Sequence, residues 1–242
     1  NTLNAGLAPS RAGEQHTFGI RDFGTSTTRT VTLTAQNITT VPVQNVRTVQ
    51  TATGVIGYLT FNDHIATAER QLVDAVNTLA NAGITDLVVD LRYNGGGYLD
   101  LASEFAYMIA GPGRTAGRTF ELQQFNDKFP NTNPITGGSL QPVPFHSTAQ
   151  GLSVTSGTAL PTLNLGRVFL LTGPGTCSAS ESIINSLRGI DVEVVQIGST
   201  TCGKPYGFYP DDNCGTTYFT IQFRGVNAKG FGDYADGFAP QN

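Results

Sequence analysis

The sequence predicts an α/β fold in which apolar strands alternate with helices around a largely parallel sheet. Two patterns predict it: apolar runs of strand length recur along the chain, and several intervening segments have apolar residues at helical spacing. The chain has 242 residues, of which 39% are hydrophobic, enough for one large domain or a core with a small appendage. Strands separated by helices in this order are typical of layered α/β domains.

The start of the chain is predicted to be strand-rich. Short β-type runs cover 17–22 and 29–35, with turn residues between them. We therefore predict a strand-rich N-terminal segment over residues 1–50, either a small appendage or the end of a preceding domain. The core is then expected to cover residues 51–242.

The predicted core begins with two strand-and-helix units. The apolar run at 55–61 precedes a helical pattern that ends at Gly83, and the run at 84–91 precedes a helical stretch over 99–110. A glycine turn, Asn94-Gly95-Gly96-Gly97, separates the second strand from its helix. The unit therefore repeats, as it does in parallel sheets.

The rest of the core has a long insertion and three more predicted strands. Residues 112–165 are rich in Gly, Pro, Thr and Asn and contain one strand-like piece at 119–125. Irregular insertions of this length are often functional loops. The predicted elements that follow are strands at 167–172, 192–198 and 216–223 and a helix at 178–187.

Composition argues against several classes of partner. Only 13% of residues are charged and the net charge is −4, so we expect no basic surface for nucleic acid or anionic lipid. No apolar run reaches the roughly 18 to 20 residues of a membrane span. The cysteines and histidines lack the paired spacing of zinc ligands, so we expect no metal and no cofactor. Few lysines and many Thr, Asn and Gly residues favour an exported protein of the periplasm or cell envelope.

A candidate nucleophile, Ser178, lies between a predicted buried strand and a helix. Unpaired backbone N–H groups and the helix dipole at such a position can stabilise an oxyanion. The alternative is structural, because Ser178 and Glu181 have the spacing of a capping box in which the glutamate caps the helix. A serine alone is a weak nucleophile, and the chain contains no G-x-S-x-G elbow, so a catalytic role requires a base.

The candidate base is Lys204, which follows the fourth strand of the core. Gly198, four residues and then Gly203-Lys204 nearly form a phosphate-binding P-loop. Pro205, however, replaces the hydroxyl that would bind magnesium and prevents the helix that would bind phosphate, so we reject nucleotide binding. A solvated surface lysine is the structural alternative, yet the chain has only three lysines. Loops that follow adjacent parallel strands meet, so Ser178 and Lys204 are expected to lie close together.

Three motifs, in this order, carry a resemblance to a known family. They are Asp90-Leu91-Arg92-Tyr93-Asn94-Gly95-Gly96-Gly97, Ser178-Ala179-Ser180-Glu181 and Gly203-Lys204. With these motifs the chain resembles the carboxyl-terminal processing peptidases, also called tail-specific proteases, over residues 54–238. The family's usual PDZ domain is not evident, and such a domain would precede Asn1.

The resemblance implies a fold, a reaction and site residues. The fold would be a crotonase-like, or ClpP-like, core of β-β-α layers, and the reaction would be hydrolysis of extended or C-terminal protein segments through an acyl-enzyme. Ser178 would be the nucleophile and Lys204, as a neutral amine, its general base. The backbone N–H groups of Gly96 and Ala179 would stabilise the oxyanion, which suits a glycine's close approach and the position after the nucleophile. Substrates would bind as extended strands.

Two alternatives and one departure from the family stay open. Many members have a Gln four residues after the lysine, thought to orient it, whereas this chain has Phe208. In a rival mechanism His64, at the start of the first core helix, is the base, since some relatives of this fold pair serine with histidine. In the second alternative the chain is a non-catalytic crotonase-like binding module. Asp90 and Arg92 are interpreted as an ion pair that holds the glycine turn.

Three cysteines allow at most one disulfide within the chain. Cys202 and Cys214 flank a turn-rich stretch, so we predict that they pair and restrict the segment that contains Lys204. The competing pairing is Cys177 with Cys202.

Overall fold

The computed structural model describes residues 2–240, and the chain divides into one compact unit that ends at Thr40 and another that begins at Val41. In the first unit, helix α1 (Thr2–Leu7) precedes strands β1 (Gln15–Ile20) and β2 (Arg29–Thr34). The two strands pair antiparallel along their whole length. Both strands predicted for this segment are therefore present.

The second unit is built on a five-stranded central sheet. Its elements are, in chain order, β3 (Val43–Thr51), β4 (Gly54–Phe61), α2 (Ala68–Asn81), β5 (Asp86–Asp90), α3 (Leu99–Ala110), α4 (Pro112–Thr115), β6 (Thr119–Gln124), β7 (Val143–Pro144), β8 (Arg167–Thr172), α5 (Ala179–Gly189), β9 (Glu193–Gly198), β10 (Tyr206–Gly207), β11 (Asp211–Asn213), β12 (Thr216–Tyr218) and β13 (Phe223–Val226). The sheet order is β3-β4-β5-β8-β9, in which β3 is antiparallel and the other three pairings are parallel. The unit is thus a mixed α/β fold, and the largely parallel pairing predicted from the sequence is confirmed.

The core forms where the apolar faces of the helices meet the sheet. In α2 the residues Leu72, Val76 and Leu79 recur at helical spacing and are fully buried. Burial of each such side chain is worth about 1.5–3 kcal/mol. Helix α3 is apolar nearly all round because it packs against both α2 and α5. The turns that leave the parallel strands are thereby fixed on a rigid support.

A second, antiparallel sheet has the order β10-β13-β6-β7 and combines the insertion with the C-terminal part of the chain. The strand predicted at 119–125 is confirmed as β6. Glu69 of α2 accepts hydrogen bonds from four backbone N–H groups within 150–154. Neighbouring Glu104 of α3 is buried, which raises its pKa to about 8. These carboxyl groups fix the insertion on the helices.

Two sequence predictions about strands were incomplete or wrong. The single strand predicted at 216–223 is wrong, since β12 pairs with β11 in a hairpin whereas β13, from Phe223, pairs with β6. The two ends have different partners, which a continuous apolar run does not reveal. Strand β3 was missed because its residues are mostly polar and exposed at the edge of the sheet. It crosses the domain boundary proposed after residue 50.

Candidate active site

Ser178 occupies a strained turn between β8 and α5. Its φ of 56° and ψ of −118° lie in a region that residues other than glycine seldom adopt. Such a conformation costs about 1–3 kcal/mol and persists only where the surroundings impose it. Here the Cys177 N–H donates to the Asn94 carbonyl at 3.1 Å and the Ser178 N–H donates to the Glu181 carboxylate at 2.9 Å. A strained strand-to-helix turn also presents the nucleophile in many hydrolases with a G-x-S-x-G motif, a motif that this chain lacks.

Glu181 connects the turn of Ser178 with the segment of Lys204. The cap on the Ser178 N–H is confirmed, and the same buried carboxylate also accepts from the Thr201 hydroxyl at 2.6 Å. Further donors are the backbone N–H groups of Gly203 and Lys204, each at 2.8 Å. The sequence indicated only the cap. The sequence signal for the contacts with the Lys204 segment was the position of Glu181, an acid in the first turn of a helix that precedes the next parallel strand.

A disulfide joins the same two segments, and it is not the predicted one. Cys177 is bonded to Cys202, with the two Cα atoms 5.2 Å apart, so the predicted Cys202–Cys214 pairing is wrong. Cys214 is a free, exposed thiol in the turn between β11 and β12. The physical reason is the parallel pairing of β8 with β9, which brings the loops at their carboxyl ends together. Within residues 2–240 the only group with metal-like spacing is Cys177, Cys202 and Glu181, and its sulfurs are in this bond.

The Lys204 side chain is half-buried and lies against an aromatic ring. Its Nζ is 4.8 Å from the centroid of Phe208, a distance at which the ring attracts a cation. Phe208 is the residue at the position where the resembled family has Gln. In this structure the contact with Lys204 Nζ is therefore made by a ring face and not by an amide.

The glycine turn lies directly against Ser178. A Cβ at Gly96 would be 2.8 Å from the Ser178 Cβ and 2.9 Å from the Ala179 N, so no side chain fits there. The Gly96 N–H donates to Asn94 Oδ1 at 3.0 Å and is therefore engaged in this structure. Among residues 2–240 the N–H groups of Gly97 and Ala179 have no acceptor, and both residues line the cavity described below. Sequence reasoning did not single out Gly97.

His64 is fully buried and has one unpaired ring nitrogen. Its Nδ1 is 2.9 Å from Asn94 Oδ1, while Asn94 Nδ2 donates to the Phe61 carbonyl at 2.9 Å and so fixes the amide orientation. Because an amide oxygen only accepts, Nδ1 carries the proton and Nε2 carries the lone pair. His64 Nε2 has no partner in the part of the chain that the structure describes. Burial lowers the pKa of His64 to about 4, so the ring is neutral at physiological pH.

Ser178, Lys204 and His64 line one cavity of about 600 Å³. Its aromatic residues are Tyr98, Tyr206, Phe208, Tyr209 and Phe223, and its acids are Asp100 and Glu121. The structure thus brings together the predicted nucleophile and both candidate bases. Asp90 and Arg92 form the predicted ion pair, 2.6 Å between Oδ2 and Nη2, and are not part of the cavity lining.

The comparisons with known proteins identify one family. The model of peptidase family S41 matches residues 55–207, which include all the cavity residues discussed above except Phe208, Tyr209 and Phe223. No curated protein matches the chain. No helix among residues 2–240 is long and apolar enough to cross a membrane.

The solved structures that are similar to the chain include the following three. A protein from Bacteroides fragilis NCTC 9343 assigned to the S41 proteases has a TM-score of 0.72 at 24% identity, covering 95% of this chain and 59% of its own. The photosystem II D1 C-terminal processing protease has a TM-score of 0.58 at 21% identity, covering 96% and 56%. A lipoprotein from Streptococcus agalactiae has a TM-score of 0.55 at 14% identity, covering 82% and 64%. These likenesses concern the fold, and the chain spans about six tenths of the length of these proteins.

Proposed function

The chain belongs to peptidase family S41, and from this membership and the geometry of its cavity we propose that it is a serine endopeptidase. It cleaves extended or C-terminal segments of proteins through an acyl-enzyme, with Ser178 as nucleophile and Lys204 as general base. Support comes above all from the strained turn at Ser178, which lines the same cavity as Lys204 and is followed by the unpaired Ala179 N–H. The D1 processing protease, which has a similar fold, acts on a C-terminus by its name.

In the proposed reaction, Lys204 as a neutral amine accepts the Ser178 hydroxyl proton while Oγ attacks the scissile carbonyl. The carbonyl oxygen becomes an oxyanion, which the Ala179 N–H stabilises together with an N–H of the glycine turn. Gly96 can donate only if it releases Asn94, whereas Gly97 is unpaired in this structure. The protonated lysine then gives its proton to the leaving amine, and water hydrolyses the acyl-enzyme by the same steps.

Substrate binding as an extended strand is supported by the position of β10. This strand lies at one end of the second sheet, and both of its residues, Tyr206 and Gly207, line the cavity. A peptide that pairs with an exposed strand gains backbone hydrogen bonds regardless of its sequence. Side-chain preference then depends on the walls of the cavity.

His64 is the second candidate for the base. It is favoured by an unpaired, unprotonated Nε2 in the same cavity, with Nδ1 held by Asn94. Lys204 is favoured by the fixed backbone that Glu181 and the disulfide give its segment. A histidine with a pKa of about 4 is already neutral above pH 5, so a histidine base predicts a rate that does not change with pH through neutrality.

The test is cleavage of an unstructured, C-terminally extended substrate by four proteins. Ser178→Ala and Lys204→Arg should both lose at least about a thousandfold in turnover, because arginine stays protonated and offers no base. The matched control is His64→Asn, whose side-chain amide can still donate to Asn94 but lacks Nε2, and it should retain most activity. An active Lys204→Arg protein, or an inactive but folded His64→Asn protein, would transfer the base role to His64.

The finer features of the proposal concern the fold, partners and location. The layering is of the crotonase-like type, and the protein acts in an exported, periplasmic or cell-envelope location. Neither nucleic acid nor a metal takes part in the reaction. The competing function, a non-catalytic binding module, requires that a serine-reactive phosphonate leave Ser178 unlabelled.

A further inference from the structure

Glu121 is a second buried carboxyl group at the cavity, and the proposed mechanism does not use it. It lies in β6, is only 4% exposed and lines the same cavity as Ser178. Its Oε2 accepts a hydrogen bond from the Ser182 hydroxyl at 3.1 Å. Ser182 lies in the first turn of α5, four residues after Ser178, and both serines line the cavity. The Glu121 carboxyl is therefore placed close to the nucleophile's helix.

The neighbouring strand leaves room for this carboxyl group. Gly225 of β13, which pairs with Gln123 of β6, has no side chain, and a Cβ at that position would overlap the Glu121 carboxyl. The pocket around Glu121 is thus formed by the backbone of β13 and by α5. Any residue other than glycine at position 225 would displace the acid.

No cation of the described chain neutralises Glu121. None of the ion pairs among residues 2–240 includes it, and its Oε1 accepts no hydrogen bond there. Burial raises the pKa of Glu121 to about 7. Tyr234 is the titratable group that interacts with Glu121, and Glu181 of α5 in turn interacts with Tyr234. The titratable groups elsewhere on the cavity wall are His64, Asp100, Lys204, Tyr98, Tyr206 and Tyr209. A buried acid with one neutral donor can still bind a second donor or a cation.

We propose that Glu121 determines specificity by binding a lysine or arginine side chain of the substrate at a position that flanks the scissile bond. The proposal rests on the peptidase function stated above. The long aliphatic part of such a side chain would pack on the apolar wall, which includes Val143 and Phe223, while its charged end reaches the carboxyl group. A cavity of about 600 Å³ has room for a side chain of this length.

Cation binding is favoured over binding of a neutral side chain by the electrostatics of the pocket. A lysine or arginine stabilises the charged form of Glu121, which burial alone disfavours. The other acid of the cavity wall, Asp100, is about half exposed and is already 3.1 Å from His146 Nε2. Of the two acids of the cavity wall, Glu121 is therefore the one without a basic partner in the part of the chain that the structure describes.

The experiment measures peptide binding and cleavage in parallel. Cleavage sites are first mapped on a peptide library, and three peptides are then made that differ only in Lys, Met or Gln at each position flanking the cleaved bond. Binding is measured by fluorescence anisotropy with Ser178→Ala, which traps uncleaved peptide, and with the Ser178→Ala/Glu121→Gln double variant. The expected result is at least about tenfold tighter binding of one Lys peptide than of its Met analogue, lost in the double variant. The proposal would be overturned by equal Lys to Met binding ratios in Ser178→Ala and in the double variant, or by a lack of binding of any peptide.

Two further measurements separate a specific contact from a general electrostatic effect. The matched control is Ser178→Ala/Asp100→Asn, which removes the exposed acid of the same cavity and should keep the Lys to Met ratio. That ratio should also increase from pH 6 to pH 8 with Glu121 present, because the carboxylate form predominates above a pKa of about 7. The assignment of Glu121 would be refuted by a Lys to Met ratio that changes on Asp100→Asn. It would also be refuted if the Gln peptide bound more tightly than the Lys peptide at pH 8.

Failure of specificity and failure of the peptidase function give different results. If wild-type protein cleaves peptides but the Lys to Met ratio does not depend on Glu121, the serine peptidase stands and the specificity proposal falls. If Ser178→Ala still cleaves the mapped bonds while the Lys to Met ratio depends on Glu121, the recognition stands and the proposed Ser178 peptidase mechanism falls.

Discussion

Two regions that line the cavity are built in opposite ways. The catalytic junction, defined as residues 177–181 together with 201–204, is held by a disulfide and by four hydrogen bonds to Glu181. The aromatic cover, defined as residues 206–223, consists of strands of two or three residues, and its apolar side chains Tyr218, Phe219 and Ile221 are more than half exposed. The contrast indicates that the proposed nucleophile and base are fixed, whereas the proposed substrate-facing segment can adjust.

The largest effect on turnover is expected from a change to Glu181, whose carboxylate accepts hydrogen bonds from both segments of the catalytic junction. In Glu181→Gln one acceptor oxygen becomes an NH₂ group, which faces two donors and leaves them unpaired. We expect a loss of about 2 kcal/mol in the free energy of unfolding and of about a hundredfold in turnover, since a displacement of 1 Å suffices for that. Denaturant unfolding and peptide cleavage measure the two quantities. Glu193→Gln, an exposed acid on β9, is the control, and equal behaviour of both variants would remove Glu181 from its proposed role.

The glycine turn offers a matched pair of neighbouring residues. Gly96 has a φ of 94° and no room for a Cβ, whereas a Cβ at Gly95 has no heavy atom within 4 Å. Gly96→Ala should push Ser178 and Ala179 aside and lower turnover about a hundredfold. Gly95→Ala should remain active. If both variants turn over substrate normally, the glycine turn does not shape the oxyanion site.

The disulfide should have a smaller effect on turnover than the Glu181 carboxylate. Replacing Cys177 and Cys202 by alanine should lower the free energy of unfolding by about 2–4 kcal/mol, because the bond closes a loop of 25 residues. Turnover should fall less than in Glu181→Gln, since the hydrogen bonds to Glu181 remain. Reduction by dithiothreitol should reproduce both changes, and Cys214→Ala should cause neither. Reducing agent without effect on wild-type protein would show that the bond does not stabilise the junction.

The smallest effect is expected from the aromatic cover. The Phe219 ring contacts Phe208 with centroids 5.3 Å apart, and Phe208 in turn lies against Lys204. Phe219→Ser should raise KM severalfold while kcat stays unchanged and the free energy of unfolding stays within about 0.5 kcal/mol, as for other exposed residues. A large drop in stability would show that the cover is as rigid as the junction.

What the sequence revealed depended on how local each feature is. The strand before the glycine turn and the helix after Ser178 follow from apolar periodicity within a few residues, and both are present as β5 and α5. The Cys177–Cys202 bond, three of the four donors of Glu181 and the Asn94 contact with His64 join segments that are 20 to 30 residues apart. These contacts depend on the order and direction of the strands. Glu121 illustrates the same limit, because nothing in its own segment indicates the space that Gly225 leaves for it.

The most direct test of the account is covalent labelling with a fluorophosphonate, followed by peptide mapping by mass spectrometry. The account predicts one adduct, on Ser178, in wild-type protein and none in Ser178→Ala. Ser180, two residues on, is fully buried and donates to the Asn94 carbonyl at 3.1 Å, so it should stay unmodified. A folded wild-type protein that takes up no label, or that takes it up at another serine, would contradict the assignment of Ser178 as the nucleophile.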